Sequence, residues 1–232
     1  MRIEPTPDSE LRPYGRRAFL ALVAGGVSSL LWARPLWRLI SPAAELLPAQ
    51  VRNVLPSGWR IYTVAATMPV FDPKRWRLRI DGAVARPLTL TYEQLRALPR
   101  AEQISDFHCV TGWSVKNVHW AGVRFRDLLA AARPQPSARA LTFVSAERPY
   151  VDSLTLEEAY LKDAMVAYEM DKKPLSRPHG APTRVVIPEM YGYKNVKWVE
   201  RIVVTDRPID GYWELRGYDR DAWVGRSNGY GA

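Results

Sequence analysis

An α+β fold, rich in strands and with only short helices, is what the sequence predicts, and three observations carry that prediction. Short alternating or wholly apolar segments recur along the body of the chain. Windows of helical periodicity stay brief and are stopped by proline. Strands and helices do not alternate regularly, which argues against βαβ winding. At 232 residues, 47% hydrophobic and 25% charged, the composition is that of a globular protein, and nine Trp and eleven Tyr supply apolar area for one sizeable core.

The elements follow in order. Trp76-Arg77-Leu78-Arg79-Ile80 alternates apolar and basic residues, a half-buried strand ending at the Asp81-Gly82 turn. Thr91-Tyr92-Glu93-Gln94 is a capping box that opens a helix through Leu98, stopped by Pro99. Gln103 to Val110 reads as a strand that delivers Cys109 at its C-terminal end. Val118 to Phe125 is extended, and Asp127 to Ala132 is a short helix ended by Pro134. Leu141 to Val144 is a further strand, and Thr155-Leu156-Glu157-Glu158 repeats the capping box. Met165–Glu169, Arg184–Ile187 and Trp198–Val204 complete the strands.

The N-terminus has a different character. Arg16-Arg17-Ala18-Phe19-Leu20 opens an uncharged stretch to Ala33, similar to a twin-arginine export signal. That stretch falls short of the roughly 20 residues that span a bilayer. Ser41-Pro42-Ala43 offers small residues for cleavage; Trp32, Arg34, Trp37 and Arg38 could instead hold an uncleaved helix at a membrane interface, and a buried core helix is the third possibility. The expected organisation is a signal or anchor over 1–43, a Pro-rich linker over 44–58 and a catalytic domain over 59–232. The destination is the periplasm or another extracytoplasmic space, reached through the twin-arginine export machinery.

The charge is +9 with a pI near 9.8, yet no run of five or six basic residues occurs. Nucleic-acid binders concentrate their charge on one element, so no nucleic-acid partner is expected, and anionic ligands suit the mixed surface better. The sole cysteine, Cys109, excludes an intramolecular disulfide and an all-Cys metal cluster.

Three segments concentrate chemistry: Asp106-Phe107-His108-Cys109-Val110-Thr111-Gly112-Trp113-Ser114, then His179-Gly180-Ala181-Pro182-Thr183-Arg184, then Gly192-Tyr193-Lys194-Asn195-Val196-Lys197-Trp198. Cys109 reads either as a small buried hydrophobe or as a thiolate held by cations or a metal. A zinc or copper site with His108 and His119 is disfavoured, since adjacent strand residues point to opposite faces. Cys109, His179 and Asn195 could compose a thiol-hydrolase triad. Such a triad has no need of Arg184, Lys194 and Lys197 gathered around the histidine, whereas an anionic cofactor does.

Taken together, with Ala167-Tyr168-Glu169-Met170 and Pro174-Leu175, these segments resemble the molybdopterin-dependent oxidoreductases of the sulfite oxidase fold, from about Ile61 to Tyr218. Within that family the likeness is to bacterial exported members related to the methionine sulfoxide reductase catalytic subunit. The resemblance implies a strand-rich, sulfite oxidase-like molybdopterin-binding domain and a molybdenum-molybdopterin cofactor. It implies that Cys109 is the metal ligand, with His179, Arg184, Asn195, Val196 and Lys197 binding the pterin, joined by Tyr62 and Thr63. Tyr218 would stand on the substrate face, with Cys109 the other catalytic residue. The activity implied is oxygen-atom transfer on a small sulfur or other oxide substrate. Electrons would pass to or from a separate redox partner, a membrane heme subunit or soluble cytochrome, because the chain has no CxxCH motif and so no heme of its own. The rival expectation is a catalytically silent cofactor-binding subunit.

Departures from the family bear on substrate. The Arg-Asn-His run of animal and plant sulfite oxidases aligns with Thr63-Val64-Ala65, and another of their arginines aligns with Ser114. With the sequence running only a few residues past Tyr218, neither the extra dimerisation domain nor the heme domain of those oxidases is expected. Sulfite, a small dianion, is therefore expected to bind poorly.

Overall fold

The computed structural model describes residues 58–226, and the export-signal and linker readings lie outside them. Among the described residues are ten strands and three α-helices, as the α+β expectation requires. One five-stranded sheet contains β1 (Leu78–Gly82), β2 (Leu88–Leu90), β5 (Ala140–Ser145), β6 (Val151–Thr155) and β10 (Val199–Thr205), in the order β2-β1-β10-β5-β6. Only its β1–β10 pair is parallel, with Arg79 beside Arg201 and Ile80 beside Ile202. The second sheet runs β3 (Ala101–Cys109), β4 (Trp113–Arg124), β7 (Met165–Met170), β8 (Lys173–Pro174), and β9 (Arg184–Val186) also pairs with β7.

Side-chain alternation sorts the core. Along β7, Val166 and Tyr168 enter the main cluster with Leu78, Ile80, Phe125 and Phe143, while Met165 and Ala167 enter a smaller one with Val118 and Trp120. A strand buried on both faces reads as a continuous apolar run, which is why Met165–Tyr168 stands out in the sequence. Full burial of each such large side chain stabilises by about 1.5–3 kcal/mol.

Both capping boxes form. At α1 (Tyr92–Arg96) the Thr91 hydroxyl accepts from Gln94 N–H at 3.2 Å and Gln94 Oε1 accepts from Thr91 N–H at 2.8 Å. At α3 (Leu156–Ala159), Thr155 and Glu158 repeat the exchange. The helix α2 (Phe125–Ala132) starts earlier than its polar residues suggest and ends at Arg133, which adopts φ +58°, one residue before the expected proline stop.

Two differences position the site. β4 begins at Trp113, not Val118, because its first half is the outer arm of a hairpin whose Ser114, Lys116 and Asn117 face solvent and hide the pattern. Trp198, expected inside a strand, adopts φ +52° and leaves Val199 to open β10. The kink frees Lys197 to bridge Arg184 on β9. The strands β2, β6 and β8 carry no alternation legible in the sequence; β6 in particular buries Asp152 and Ser153 where a strand pattern calls for apolar residues.

Candidate active site

A cleft of about 250 Å³ opens where the β3–β4 hairpin meets the loops after β9 and before β10. Cys109 ends β3 and pairs in register with Trp113, so the turn of residues 110–112 is held at both ends. Gly112 closes it, donating to Cys109 O at 3.0 Å with φ +87°, a conformation that favours glycine. Phe107, two residues before the cysteine, carries Trp59 on its ring at 4.8 Å, and Trp59 also meets His179 at 4.8 Å.

The His-Gly-Ala-Pro-Thr-Arg segment places an imidazole and a guanidinium. His179 ends a single 3-10 turn, Arg177–His179, capped by Gly180 at φ +101°. A Cβ on Gly180 would lie 2.9 Å from Lys197 Cβ, so glycine is what lets the two segments touch. Four residues on, Arg184 is clamped from all sides. Its guanidinium lies over Phe107 at 5.4 Å and Trp120 at 5.2 Å, and donates to His179 O and Asn195 O, each at 3.3 Å. Neither acceptor is a carboxylate. Its Nε, like His179 Nδ1, is buried without a hydrogen-bond partner.

Lys197 donates to Tyr62 O at 2.5 Å and sits 4.1 Å above the Trp198 ring. Burial lowers the pKa of all three groups, and the Arg184 charge adds to it at His179 and Lys197. Burial, then Arg184 and Lys197, pull the His179 pKa down to about 4. Burial and Arg184 pull Lys197 down to about 7, against the opposing pull of Glu147. Burial alone lowers Arg184 to about 10.

Glu147, 3% exposed, is the one carboxylate that lines the cleft. It accepts from Val64 N–H at 2.9 Å, Ala65 N–H at 3.4 Å and the Thr63 hydroxyl, so its charge is spent on holding the 63–65 lip in place. Aromatic residues form the rest of the wall. Tyr150 donates to Tyr193 O at 2.6 Å, and Tyr218 packs on Tyr193 at 5.4 Å and Trp213 at 5.1 Å.

Of the residues singled out in the sequence, Tyr62, Cys109, His179, Arg184, Asn195, Lys197 and Tyr218 all line this cleft. Thr63 does not; its hydroxyl is bound to Glu147. Val196 is 1% exposed and packs in the main core, with its carbonyl accepting from Val185 N–H. Asn195 turns its amide inward, accepting from Ile187 N–H at 2.8 Å and donating to Met190 O and Tyr191 O at 3.3 Å, so only its carbonyl serves the cleft through Arg184. Lys194 does not join the cationic group as expected. It is neutralised by Asp152 at 2.8 Å and by Glu214, all three side chains being 1–3% exposed. Trp59, Arg60, Glu147 and Trp213 line the cleft without having been found in the sequence, where single aromatic or charged residues in loops carry no periodic signal.

The thiol-hydrolase arrangement does not form. Cys109 Sγ meets Thr111 Oγ1 at 3.2 Å, His179 Nδ1 has no partner, and the Asn195 amide is committed elsewhere. His108 bonds Ser114 at 2.8 Å, away from any copper or zinc set. Among the described residues no group of three or more His, Cys, Asp or Glu side chains is placed to hold a metal. A metal at Cys109 would thus take its other donors from a non-protein group, and a soft thiolate suits a transition metal. The unpartnered Arg184 Nε and His179 Nδ1, beside Lys197, fit that group if it is anionic.

The cationic cluster sets a pH dependence for the cofactor-free protein. Lys197 binds fewer protons folded than unfolded between about 7 and its ordinary 10.5, and His179 does so between about 4 and 6.5. Unfolding free energy therefore rises with pH across both windows and is lost as pH falls through them. Urea melts of parent and Lys197→Met protein from pH 7 to 10 check this: the parent gains stability across the range and the variant gains less. A parent curve that is flat or falls with pH contradicts a half-buried lysine held below its ordinary pKa by burial and Arg184.

Residues 65–213 match the family model described as the oxidoreductase molybdopterin binding domain. The chain is 35% identical over 154 residues to the uncharacterized oxidoreductase YuiH of Bacillus subtilis, covering 66% of this chain and 77% of that protein. It is 34% identical to the mitochondrial sulfite oxidase of Drosophila melanogaster, covering 93% of this chain and 38% of that one. It is 32% identical to the protein-methionine-sulfoxide reductase catalytic subunit MsrP of Campylobacter jejuni, covering 62% and 54%. The chain thus spans about half or less of the latter two. Among solved structures it resembles the sulfane dehydrogenase SoxCD of Paracoccus pantotrophus, with a TM-score of 0.58 and 27% identity over 61% of this chain and 41% of that one.

Proposed function

The chain belongs to the sulfite oxidase family of molybdopterin-binding oxidoreductases, and from that premise we propose that it transfers an oxygen atom at the sulfur of an uncharged sulfoxide-type substrate. The family implies a molybdenum-molybdopterin cofactor, which when bound supplies two-electron exchange with the substrate. In this reading Cys109 holds the metal. Arg184 and Lys197 would neutralise the pterin's anionic groups, and His179, uncharged at pH 7, would serve as a hydrogen-bonding imidazole; Tyr62 and Asn195 contribute carbonyls that hold Lys197 and Arg184, and Thr63 and Val196 would support these segments from behind.

The observation that carries the substrate assignment is the chemistry of the remaining wall. The turn bearing Cys109 contributes Val110, Thr111 and Trp113, and the aromatic group contributes Tyr193, Trp213 and Tyr218, none with a formal charge. Outside the cationic cluster, Arg60 is the one basic residue lining the cleft, and it is exposed, where water screens its charge. A sulfoxide needs one hydrogen-bond donor for its oxygen and apolar contact for its substituents, which Tyr218 and the tryptophans provide. Sulfite needs several charged donors. Similarity to the methionine sulfoxide reductase subunit supports this reading, while similarity to sulfite oxidase supports the cofactor.

Cycling the metal requires electrons from another protein, so the account includes a heme-bearing partner and export by the twin-arginine route through residues 1–43, which the Arg16-Arg17 motif supports. Steady-state assays of the loaded protein test the substrate. With a reduced viologen dye, kcat/KM for methionine sulfoxide or dimethyl sulfoxide should exceed that for sulfite with an electron acceptor by about a hundredfold, the value of two lost charge-assisted contacts. Saturable sulfite oxidation at micromolar levels overturns the assignment.

A further inference from the structure

Among the described residues, Cys109 Sγ has one side-chain hydrogen-bond partner, and its chemistry is specific. Thr111 Oγ1 lies 3.2 Å from the sulfur. A thiol and a hydroxyl can each donate, but a thiolate that ligates a metal has no proton, so the hydroxyl must then be the donor. The placement is built in by the backbone. The register pair Cys109–Trp113 and the bond from Gly112 N–H to Cys109 O at 3.0 Å fix both sides of Thr111. Its β-branched side chain restricts the torsion that aims the hydroxyl.

We infer that Thr111 is a positioning residue that tunes the metal through Cys109, by donating a hydrogen bond to the ligating thiolate. The inference rests on the reading of Cys109 as the molybdenum ligand. A charge-assisted O–H···S bond draws electron density from the sulfur, so the sulfur donates less to the metal and the oxidised state is less stabilised. Hydrogen bonds to ligating sulfurs raise reduction potentials in iron–sulfur proteins by the same logic.

The test uses full-length holoprotein as parent, Thr111→Val and Thr111→Ser, with molybdenum content, a potentiometric titration of the metal and the sulfur-to-metal charge-transfer absorption. Valine keeps the shape and removes the donor; serine keeps the donor. The expected result is equal metal loading, a negative shift in potential and a red shift of the charge-transfer band in Thr111→Val, with both restored in Thr111→Ser. An unchanged potential and band in a fully loaded Thr111→Val protein overturns the inference. If valine also lowers loading, recovery by serine supports the hydroxyl's role, and serine loading no better than valine refutes it. A parent without molybdenum shows no metal potential at all, which is failure of the underlying reading and not of the hydrogen bond.

Discussion

Lys194→Met should lower the unfolding free energy by about 3–5 kcal/mol, because breaking a buried ion pair from one side leaves uncompensated charge in the interior. For a domain of this size that is a fall in melting temperature of roughly 10 °C. The arrangement explains the size of the effect. One ammonium faces two carboxylates, Asp152 on β6 and Glu214 at the start of a 3-10 turn, and both Asp152 Oδ2 and Glu214 Oε2 are buried with no hydrogen-bond partner. Burial pushes the Asp152 carboxyl up, against the pull of Lys194 and with the help of Glu214. Burial works against the Lys194 charge too, but the two carboxylates outweigh it and hold its pKa above the ordinary value.

This cluster fastens the segment that carries Trp213 and Tyr218 to β6, assisted by Ser153 Oγ donating to Ile209 O at 2.6 Å and Tyr212 N–H donating to Val151 O at 2.9 Å. Loss of the lysine should therefore also loosen the aromatic wall of the cleft. Thermal melts and urea titrations check the stability term. Combining Lys194→Met with Asp152→Asn and Glu214→Gln should recover most of the loss, since removing all the charges removes the desolvation problem. A single variant that melts within about 1 °C of the parent contradicts the account, because a lost buried pair cannot be that cheap.

Much of the fold was legible because its elements obey local rules. Thr91 and Thr155 cap the helices their patterns predict, and Met165–Tyr168 is apolar on both faces because β7 is buried on both. What escaped is set by tertiary partners. Asp152 makes β6 look polar until Lys194 is found across from it, and Trp198 looks like a strand residue until its positive φ turns Lys197 toward Arg184. The site divides the same way. Cys109, His179, Arg184 and Lys197 lie in dense motifs whose residue types name their chemistry. Lys194 sits in the same motif and goes elsewhere, and Glu147 has no motif at all; only the folded chain brings it to Thr63, Val64 and Ala65. Residue type gave each charge, but its partner decided its use.

Cys109→Ser isolates the proposed role of Cys109 as the anchor for molybdenum. Serine is nearly isosteric, and Cys109 is only partly buried in a turn held by Trp113 and Gly112, so the fold should survive with a melting temperature close to the cofactor-free parent. The hydroxyl is a hard donor that stays protonated where a thiol ionises, so the metal would lose the soft ligand proposed for it. Arg184, His179 and Lys197, the groups proposed to meet the pterin, are untouched, so organic cofactor is expected to persist in part while the metal becomes labile. The direct measurement is metal analysis by mass spectrometry of parent and Cys109→Ser proteins, each produced in its native host and shown to be folded. Near-stoichiometric molybdenum in the parent, with the variant depleted about tenfold or losing its metal on dialysis, is the predicted result. A well-folded parent without molybdenum, or a serine variant that retains it fully, would contradict the assignment.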